Sequence, residues 1–430
     1  MSTRREISLN FITYFAPKLA SLGVFALIVP IVLKNLGQER YAVLMTVILV
    51  VGMVPLLDTG VSYALTYRYS RALQRDRRAG ALLLREHWRI YLLVSAMLSV
   101  IFLAIFPWVF KSAGRQFGNE FQIVVGGGAL AVFFMLLSGY NRAVLIAKGR
   151  SYLVNLVDFV SDLLRGAAVG VGAALYRDLG ITMALIAAAF AFRWFMLVMI
   201  TMREIRGHSM SVAGRVRRRS LRASISVGAP FAFSAIITVI FGLLDKAVIA
   251  RTHSLTDLAV YSFSYDVTTK GWMLAWAING ALLPALMRWG HAREGGRIAK
   301  AFGYSWGAIG SIAIGIYLPL NLFEPQIIGW WVGNEMAGSA RYFIAMFSLS
   351  SVFYFIVCVF YNFFQAAGRT KEIAKAYLIG LLFYLIGVAA GALSGEMLVM
   401  ASAHVALWIA VVLSMAYMSA LDQKKQHVIV

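Results

Sequence analysis

The chain has 430 residues, 60% of them hydrophobic, and a mean hydropathy of +0.76. Soluble domains are about 45–50% apolar, which excludes an ordinary water-soluble fold. The formal charge of +21 lies in loops between apolar stretches, so it points to membrane orientation and anionic lipid headgroups rather than to nucleic acid. The single cysteine, Cys358, sits inside an apolar stretch and can form neither an internal disulfide nor a zinc or redox motif.

In chain order, apolar spans are expected at 10–33, 41–67, 90–110, 121–146, 152–175, 181–202, 224–250, 257–285, 301–323, 341–366, 376–393 and 397–420. Each can cross roughly 30 Å of hydrocarbon as a helix, the form in which a spanning segment satisfies its own backbone. The first span, from about Phe11 to Leu33, is too long for the core of a signal peptide. The third reads as interrupted near Pro107 at its outer end, and Pro17, Pro55 and Pro230 can bend the spans that hold them. Arg and Lys on one side of these spans outnumber those on the other about fourfold, which places both termini in the cytoplasm. The expected architecture is an all-α polytopic membrane protein of 12 transmembrane helices.

No loop is long enough for an extramembrane domain. The longest outer loop, Glu324 to Ala340, holds no Arg or His, which a glycan polymerase or ligase would need there. His253 and His404 read as isolated, and no metal, triad or phosphate-loop signature is present. No enzyme activity and no cofactor are therefore expected.

The basic cluster Arg215–Arg222 joins two blocks of six spans, taken as 1–210 and 211–430, and the blocks look related. Arg68–Arg77 after span two matches Arg288–Arg297 after span eight. Ala147-Lys-Gly-Arg150 after span four matches Ala366-Ala-Gly-Arg369 after span ten. Two matches at nearly one offset point to parallel six-helix repeats around a central cavity, with substrate bound between the halves.

Ionisable residues at bilayer depth cost about 2.5–3.5 kcal/mol each and so face partners or wet cavities. The basic ones are Lys18, Arg165, Arg193, Lys246 and Lys270; the acidic ones are Asp58, Asp158, Asp162, Asp245 and Asp266. Asp266 and Lys270 are four apart, Asp162 and Arg165 three apart, so each pair can brace its own helix. Asp158 shares the Asp162–Arg165 face, giving span five one inward polar stripe. Asp245 and Lys246 are adjacent and diverge by about 100°, so neither is expected to satisfy the other. Lys18 and Arg193 have no acid nearby in sequence, although Lys18 can snorkel to the interface. With Lys246 and Lys270 they form a candidate cationic patch for a diphosphate. Asp58, Asp158, Asp162, Arg165, Asp245 and Asp266 are left to cation coupling or bracing. Trp272, Trp276 and Tyr265, with Trp194, Tyr261 and Tyr354, could stack on sugar rings or simply pack helices. Trp330 and Trp331 read as an interfacial belt. Gly166/Gly170, Gly303/Gly307 and Gly387/Gly391 read as close helix packing.

Several segments carry a family resemblance. They are Pro30-Ile-Val-Leu-Lys-Asn-Leu-Gly-Gln-Glu-Arg-Tyr41, Leu57-Asp-Thr-Gly60, Gly228-Ala-Pro230, Leu244-Asp-Lys-Ala-Val-Ile249 with Tyr261, and Gln365-Ala-Ala-Gly-Arg369. In this order and spacing the chain resembles the Wzx-like polysaccharide and O-antigen flippases of the MOP exporter superfamily. The resemblance implies a multi-pass protein of the bacterial inner membrane. It would move a polyprenyl-diphosphate-linked oligosaccharide from the cytoplasmic to the outer leaflet, for lipopolysaccharide or exopolysaccharide assembly. It leaves room for H+ or Na+ as coupling ion and for a polysaccharide polymerase complex as partner, besides membrane lipids. The alternative within the superfamily is a cation-coupled multidrug antiporter.

Overall fold

The computed structural model describes residues 3–75, 77–205, 218–276, 278, 286, 295–367 and 369–428, and every regular element among them is helical. The side chains of Lys18, of Arg215–Arg222 and of Arg288–Arg297, and those of Pro17 and Pro230, lie outside the described residues.

The elements are α1 (Thr3–Leu36), α2 (Gln38–Arg75), α3 (Arg77–Val109), α4 (Lys111–Phe117), α5 (Asn119–Ala147), α6 (Ser151–Val171) with a π turn (Gly172–Tyr176), and α7 (Leu179–Glu204). They continue with α8 (Arg218–Thr252), α9 (Leu255–Thr269), α10 (Gly295–Leu322), α11 (Glu324–Val332), α12 (Asn334–Ala366), α13 (Thr370–Ser394) and α14 (Met397–Val428). Eleven of the twelve expected spans fall on a long helix. The eighth breaks at a turn, Lys270–Gly271, and resumes over 272–276. Among the described residues, eight helices are long and apolar enough to cross a membrane by length and composition; α6, which carries Asp158, Asp162 and Arg165, is not one of them.

Three sequence expectations are corrected. The third span is not interrupted, since α3 runs through Pro107 to Val109 and loses only one backbone bond near its end. The outer segment 324–340 is not a loop but α11 followed by the start of α12, with a proline in the first turn of α11, where a missing N–H costs nothing. The Gly303/Gly307 pair makes no close helix contact among the described residues. A Cβ at either position meets nothing within 4 Å, and the same holds at Gly170.

Elsewhere the glycines do seat neighbouring helices. A Cβ on Gly387 would lie 2.6 Å from Ala403 Cβ and one on Gly391 2.4 Å from Met400 Cγ, so α13 lies directly on α14. A Cβ on Gly166 would lie 2.3 Å from Val24 Cγ1, which fixes α1 against α6. Within a bilayer, where apolar burial drives little helix association, close approach of this kind gains dispersion energy.

The chain forms two compact units, Met1–Val239 and Ile240–Val430. In the first, α5 is the hub against α2, α3 and α7, and its core joins Leu65, Tyr69, Leu84, Tyr91, Leu137 and Tyr140. In the second, α12 packs against α9, α10, α11 and α14. The duplicated Ala-x-Gly-Arg segments share a local geometry. Arg150 N–H donates to Leu145 C=O at 2.9 Å, and Arg369 N–H donates to Phe364 C=O at 2.8 Å. This is the six-to-one bond that closes a Schellman helix end, and Gly149 takes the left-handed φ of +74° it requires. Each arginine then reaches a helix of its own unit: Arg150 pairs with Glu204 at the end of α7 at 3.3 Å, and Arg369 donates to Met418 C=O of α14 at 3.3 Å.

Candidate functional site

The inward stripe expected on span five is real. Leu156, Val160, Leu163 and Leu164 are exposed on the outer face of α6, while Asp158, Asp162 and Arg165 are half-buried. Asp158 Oδ1 accepts from Arg193 Nε at 3.0 Å and from Nη2 at 2.7 Å. Its other oxygen accepts from Arg142 Nη1 of α5. One helical turn further along, Asp162 pairs with Arg165 at 2.9 Å and accepts Ser21 Oγ of α1 at 3.0 Å. Arg193 lies within the field of Asp162 as well. The result is a polar ladder drawn from α5, α6 and α7, with Arg142–Asp158–Arg193 as one bonded rung and Asp162–Arg165 as the next.

The expectation that Arg193 lacks an acid partner is thus corrected. Its partner is 35 residues away in sequence and is delivered by α6–α7 packing. Arg193 also donates to Met135 Sδ of α5 and is 6% exposed. A small cavity of about 10 Å³ opens between Asp162, Arg165 and Arg193, closed by Ser161, Ala189 and Phe190. That is room for one water. Asp58 sits beside the ladder rather than in it. It is buried against Tyr91, within the field of Arg142, and its Oδ2 fills the space a side chain at Gly139 would need, 2.2 Å from a Cβ there.

The second unit holds a different arrangement. Asp245, Lys246 and His404 are 0%, 0% and 1% exposed. Asp245 Oδ2 accepts Tyr261 OH at 2.6 Å and faces His404 Nε2 at 2.8 Å. Its Oδ1 accepts the Lys246 backbone N–H at 2.8 Å and lies 3.8 Å from Lys246 Nζ. Tyr384 OH accepts the Asp245 N–H at 3.3 Å. Two expectations are corrected here. Adjacent Asp245 and Lys246 do pair, because the flexible lysine stem folds back so that Nζ also donates to Gly242 C=O at 3.2 Å. His404 is not isolated; α14 brings it to Asp245 across 159 residues. Lys246, expected in a cationic patch, is enclosed within its unit, with Nζ 3.5 Å above the Tyr265 ring. Lys270 is half-buried and lies in the field of Asp266.

Of the aromatic candidates, Tyr265 is buried between Trp272, Phe347 and His404. Trp272 stacks on Tyr354 at 3.9 Å and donates to Ser351 Oγ. Trp276 retains 38% exposure, edge-on to Tyr361. Trp194 packs on Phe134, and Trp330 is 90% exposed on α11. The sequence reading missed two residues. Arg142, five positions inside the end of α5, sits where a span meets its basic loop and so gives no signal of its own, and His404 gives only that of a lone histidine in an apolar helix.

Comparison with known proteins places this geometry in a fold. The MatE family model matches residues 230–390. No curated protein matches the chain. A multidrug resistance MATE family transporter of the MOP superfamily, inward-facing, superposes with a TM-score of 0.73 at 15% identity over 96% of each chain. The lipid II flippase MurJ, inward closed, gives 0.72 at 14% identity, covering 95% of this chain and 87% of that one. A MOP superfamily transporter from Pyrococcus furiosus, described as having reversed binding-pocket polarity, gives 0.65 at 14% identity over 96% and 95%. The chain is a multi-pass helical protein with the fold of the MOP-superfamily transporters, carrying a MatE match over most of its second unit.

Proposed function

We propose that this protein is a membrane transporter of the MOP superfamily, of the bacterial inner membrane, that flips a polyprenyl-diphosphate-linked oligosaccharide to the outer leaflet. The observation that carries this reading is the ladder of the first unit. It sets three guanidiniums against two carboxylates at a depth where charge is costly. A surplus of positive charge suits an anionic headgroup, and arginine forks match phosphate oxygens. A membrane potential negative inside contributes about 2.3 kcal/mol per charge per 100 mV to moving such an anion outward. The lipid tail would stay in the bilayer, and Trp276, the exposed member of the aromatic wall, is the residue left to meet a sugar ring. A polysaccharide polymerase complex is the expected neighbour.

Depletion tests the proposal. Lipid-linked glycan should accumulate on the cytoplasmic leaflet while surface glycan is lost; an unchanged leaflet distribution would refute it. The second reading, a cation-coupled multidrug antiporter, is favoured by the MatE match and by buried Asp58, which no rung of the ladder uses. In that reading Asp58 carries H+ or Na+. Drug resistance on overexpression, with normal surface glycan on deletion, would decide for it.

A further inference from the structure

We infer that the groove between α10 and α12 binds one acyl chain of an ester-linked phospholipid of the outer leaflet, with the ester carbonyl accepting a hydrogen bond from Ser348. The groove lies wholly in the second unit, so the site stands whatever the protein transports.

The groove is a cavity of about 530 Å³ with an almost wholly apolar wall. That volume falls in the range of about 300–1,000 Å³ usual for sites that enclose a small ligand. Buried Ala313, Tyr317 and Phe355 form its floor, and exposed Ile314, Leu318 and Leu349 form its edges. Gly310 leaves a bay in the wall, since a Cβ there meets nothing within 4 Å. Both helices are long and apolar enough to cross a membrane. An opening edged by exposed leucine and isoleucine on such helices is one that lipid chains fill.

Ring contacts set the register of the two helices. Phe302 lies 4.8 Å from Phe363, Trp306 6.0 Å from Phe360 and Tyr317 5.8 Å from Phe355, centroid to centroid. The helices are therefore antiparallel, and Ser348, seven residues beyond Phe355, is level with the outer end of α10 near Leu318 and Leu322. The Trp306–Phe360 contact shuts the inner end. From Trp306 to Asn321 the groove runs about 22 Å along α10, and from Ala345 to Ile356 about 16 Å along α12. One leaflet of hydrocarbon is about 15 Å deep. A slot shut near mid-membrane and open outward has the shape of a chain hanging from its headgroup.

Ser348 supplies the specificity. Serines in these spans donate to the carbonyl four residues back, as Ser305 and Ser414 do at 2.7 Å each. Ser348 is 3% exposed and lines the groove, and its Oγ has no hydrogen-bond partner among the described residues. The other polar side chains toward the outer end are engaged: Tyr317 OH donates to Thr268 C=O at 2.8 Å and Asn321 Nδ2 to Tyr317 C=O at 2.7 Å. A trapped water needs two to four polar partners, more than this wall offers, and an unpaired buried hydroxyl is costly. An ester carbonyl at the head of an acyl chain arrives at this depth as the acceptor. A polyprenyl chain carries no oxygen beyond its phosphate and leaves Ser348 unpaired. Occupancy also bears on the break in span eight, because Tyr317 OH would lie 2.7 Å from a Cβ at Gly271. A chain against the Tyr317 ring holds it over that turn.

Full-length protein in mild detergent is titrated with palmitoyl-oleoyl phosphatidylglycerol and read by native mass spectrometry. One lipid should stay bound per chain. A diazirine near the end of its acyl chain should label peptides covering 306–321 and 345–356. Gly310→Leu fills the bay and Leu349→Trp covers an edge. Each should weaken retention about tenfold or more through lost chain contacts, with the lipid-free melting temperature unchanged. The ether-linked lipid of the same headgroup and chain lengths should bind about fivefold less tightly than the ester, the scale of one neutral hydrogen bond. Ser348→Ala should bind ester and ether equally.

A Ser348→Ala variant that still prefers the ester overturns the role given to that hydroxyl. Folded Gly310→Leu and Leu349→Trp variants that retain lipid as the wild type does overturn the site, as does labelling confined to other helices. A polyprenyl phosphate that displaces the ester lipid at equal concentration overturns the choice of occupant, and so does cross-linking of these peptides to a second copy of the chain.

Discussion

Arg193 and Asp158 are joined by two bonds to one carboxylate oxygen, Nε at 3.0 Å and Nη2 at 2.7 Å, and this contact decides what each neighbouring arginine can do. With Arg193 held inside, Asp158 has its second oxygen left for Arg142. Removing the carboxylate strands the buried guanidinium. Asp158→Ala should cost about 3 kcal/mol, the usual scale for breaking a buried ion pair from one side. Adding Arg193→Met should return part of that loss, which thermal unfolding of the detergent-solubilised protein can measure.

Glycines separate into two classes with opposite expected outcomes. Gly387→Ala places a Cβ 2.6 Å from Ala403 Cβ and 3.0 Å from its Cα, so α13 must move off α14, at a cost of about 1–3 kcal/mol. Gly303→Ala and Gly307→Ala meet open space and should be neutral or stabilise by up to about 1 kcal/mol through helix propensity. Melting temperatures of the three single variants give the answer; equal losses would show that the open face of α10 is occupied in the membrane.

The Asp245 core should be sensitive to each donor in turn. Tyr261→Phe deletes the 2.6 Å bond to Oδ2 and should cost about 1.5–3 kcal/mol, the range for a hydrogen bond to a charged group. Asp245→Asn should cost more, because Lys246, 0% exposed, then loses the carboxylate that lies 3.8 Å from its Nζ. Unfolding and expression of both variants, compared with Tyr384→Phe, rank the contributions.

One stability term should respond to pH. Glu324 on the outer helix α11 is 2% exposed, and burial raises its carboxyl above the ordinary glutamate value against the opposing field of Arg341. A raised folded-state value means the folded protein holds the proton more tightly than the unfolded chain. Stability from this group is therefore present at low pH and is lost as pH rises from the ordinary glutamate value through the raised one. Glu324→Gln should flatten that part of the pH–melting profile and leave the rest unchanged.

The Schellman ends make a local prediction. Gly149→Ala forces a Cβ into φ +74° and should destabilise by about 1 kcal/mol, with Gly149→Asn less costly. Glu204→Gln, which removes the partly exposed ion pairs to Arg150 and Lys148, should change stability by about 1 kcal/mol at most.

The order and position of eleven long helices were readable from the sequence, because a span in lipid must be apolar for its whole length and satisfy its own backbone. Asp162 and Arg165 were readable as a pair for a related reason: three residues on one helix fix their geometry before anything packs. The repeated Ala-x-Gly-Arg ends were legible too, since a helix stop is a local event. Asp158 with Arg193, Asp245 with His404, and Asp58 seated on Gly139 were not. Each joins different helices, and which faces meet depends on rotation and approach set by packing, not by periodicity. Sequence alone determined a helical membrane protein with charges buried in its spans. Only the tertiary structure decided which charges are sealed inside a unit and which, Arg142 and Arg165 among them, keep a partly exposed side chain.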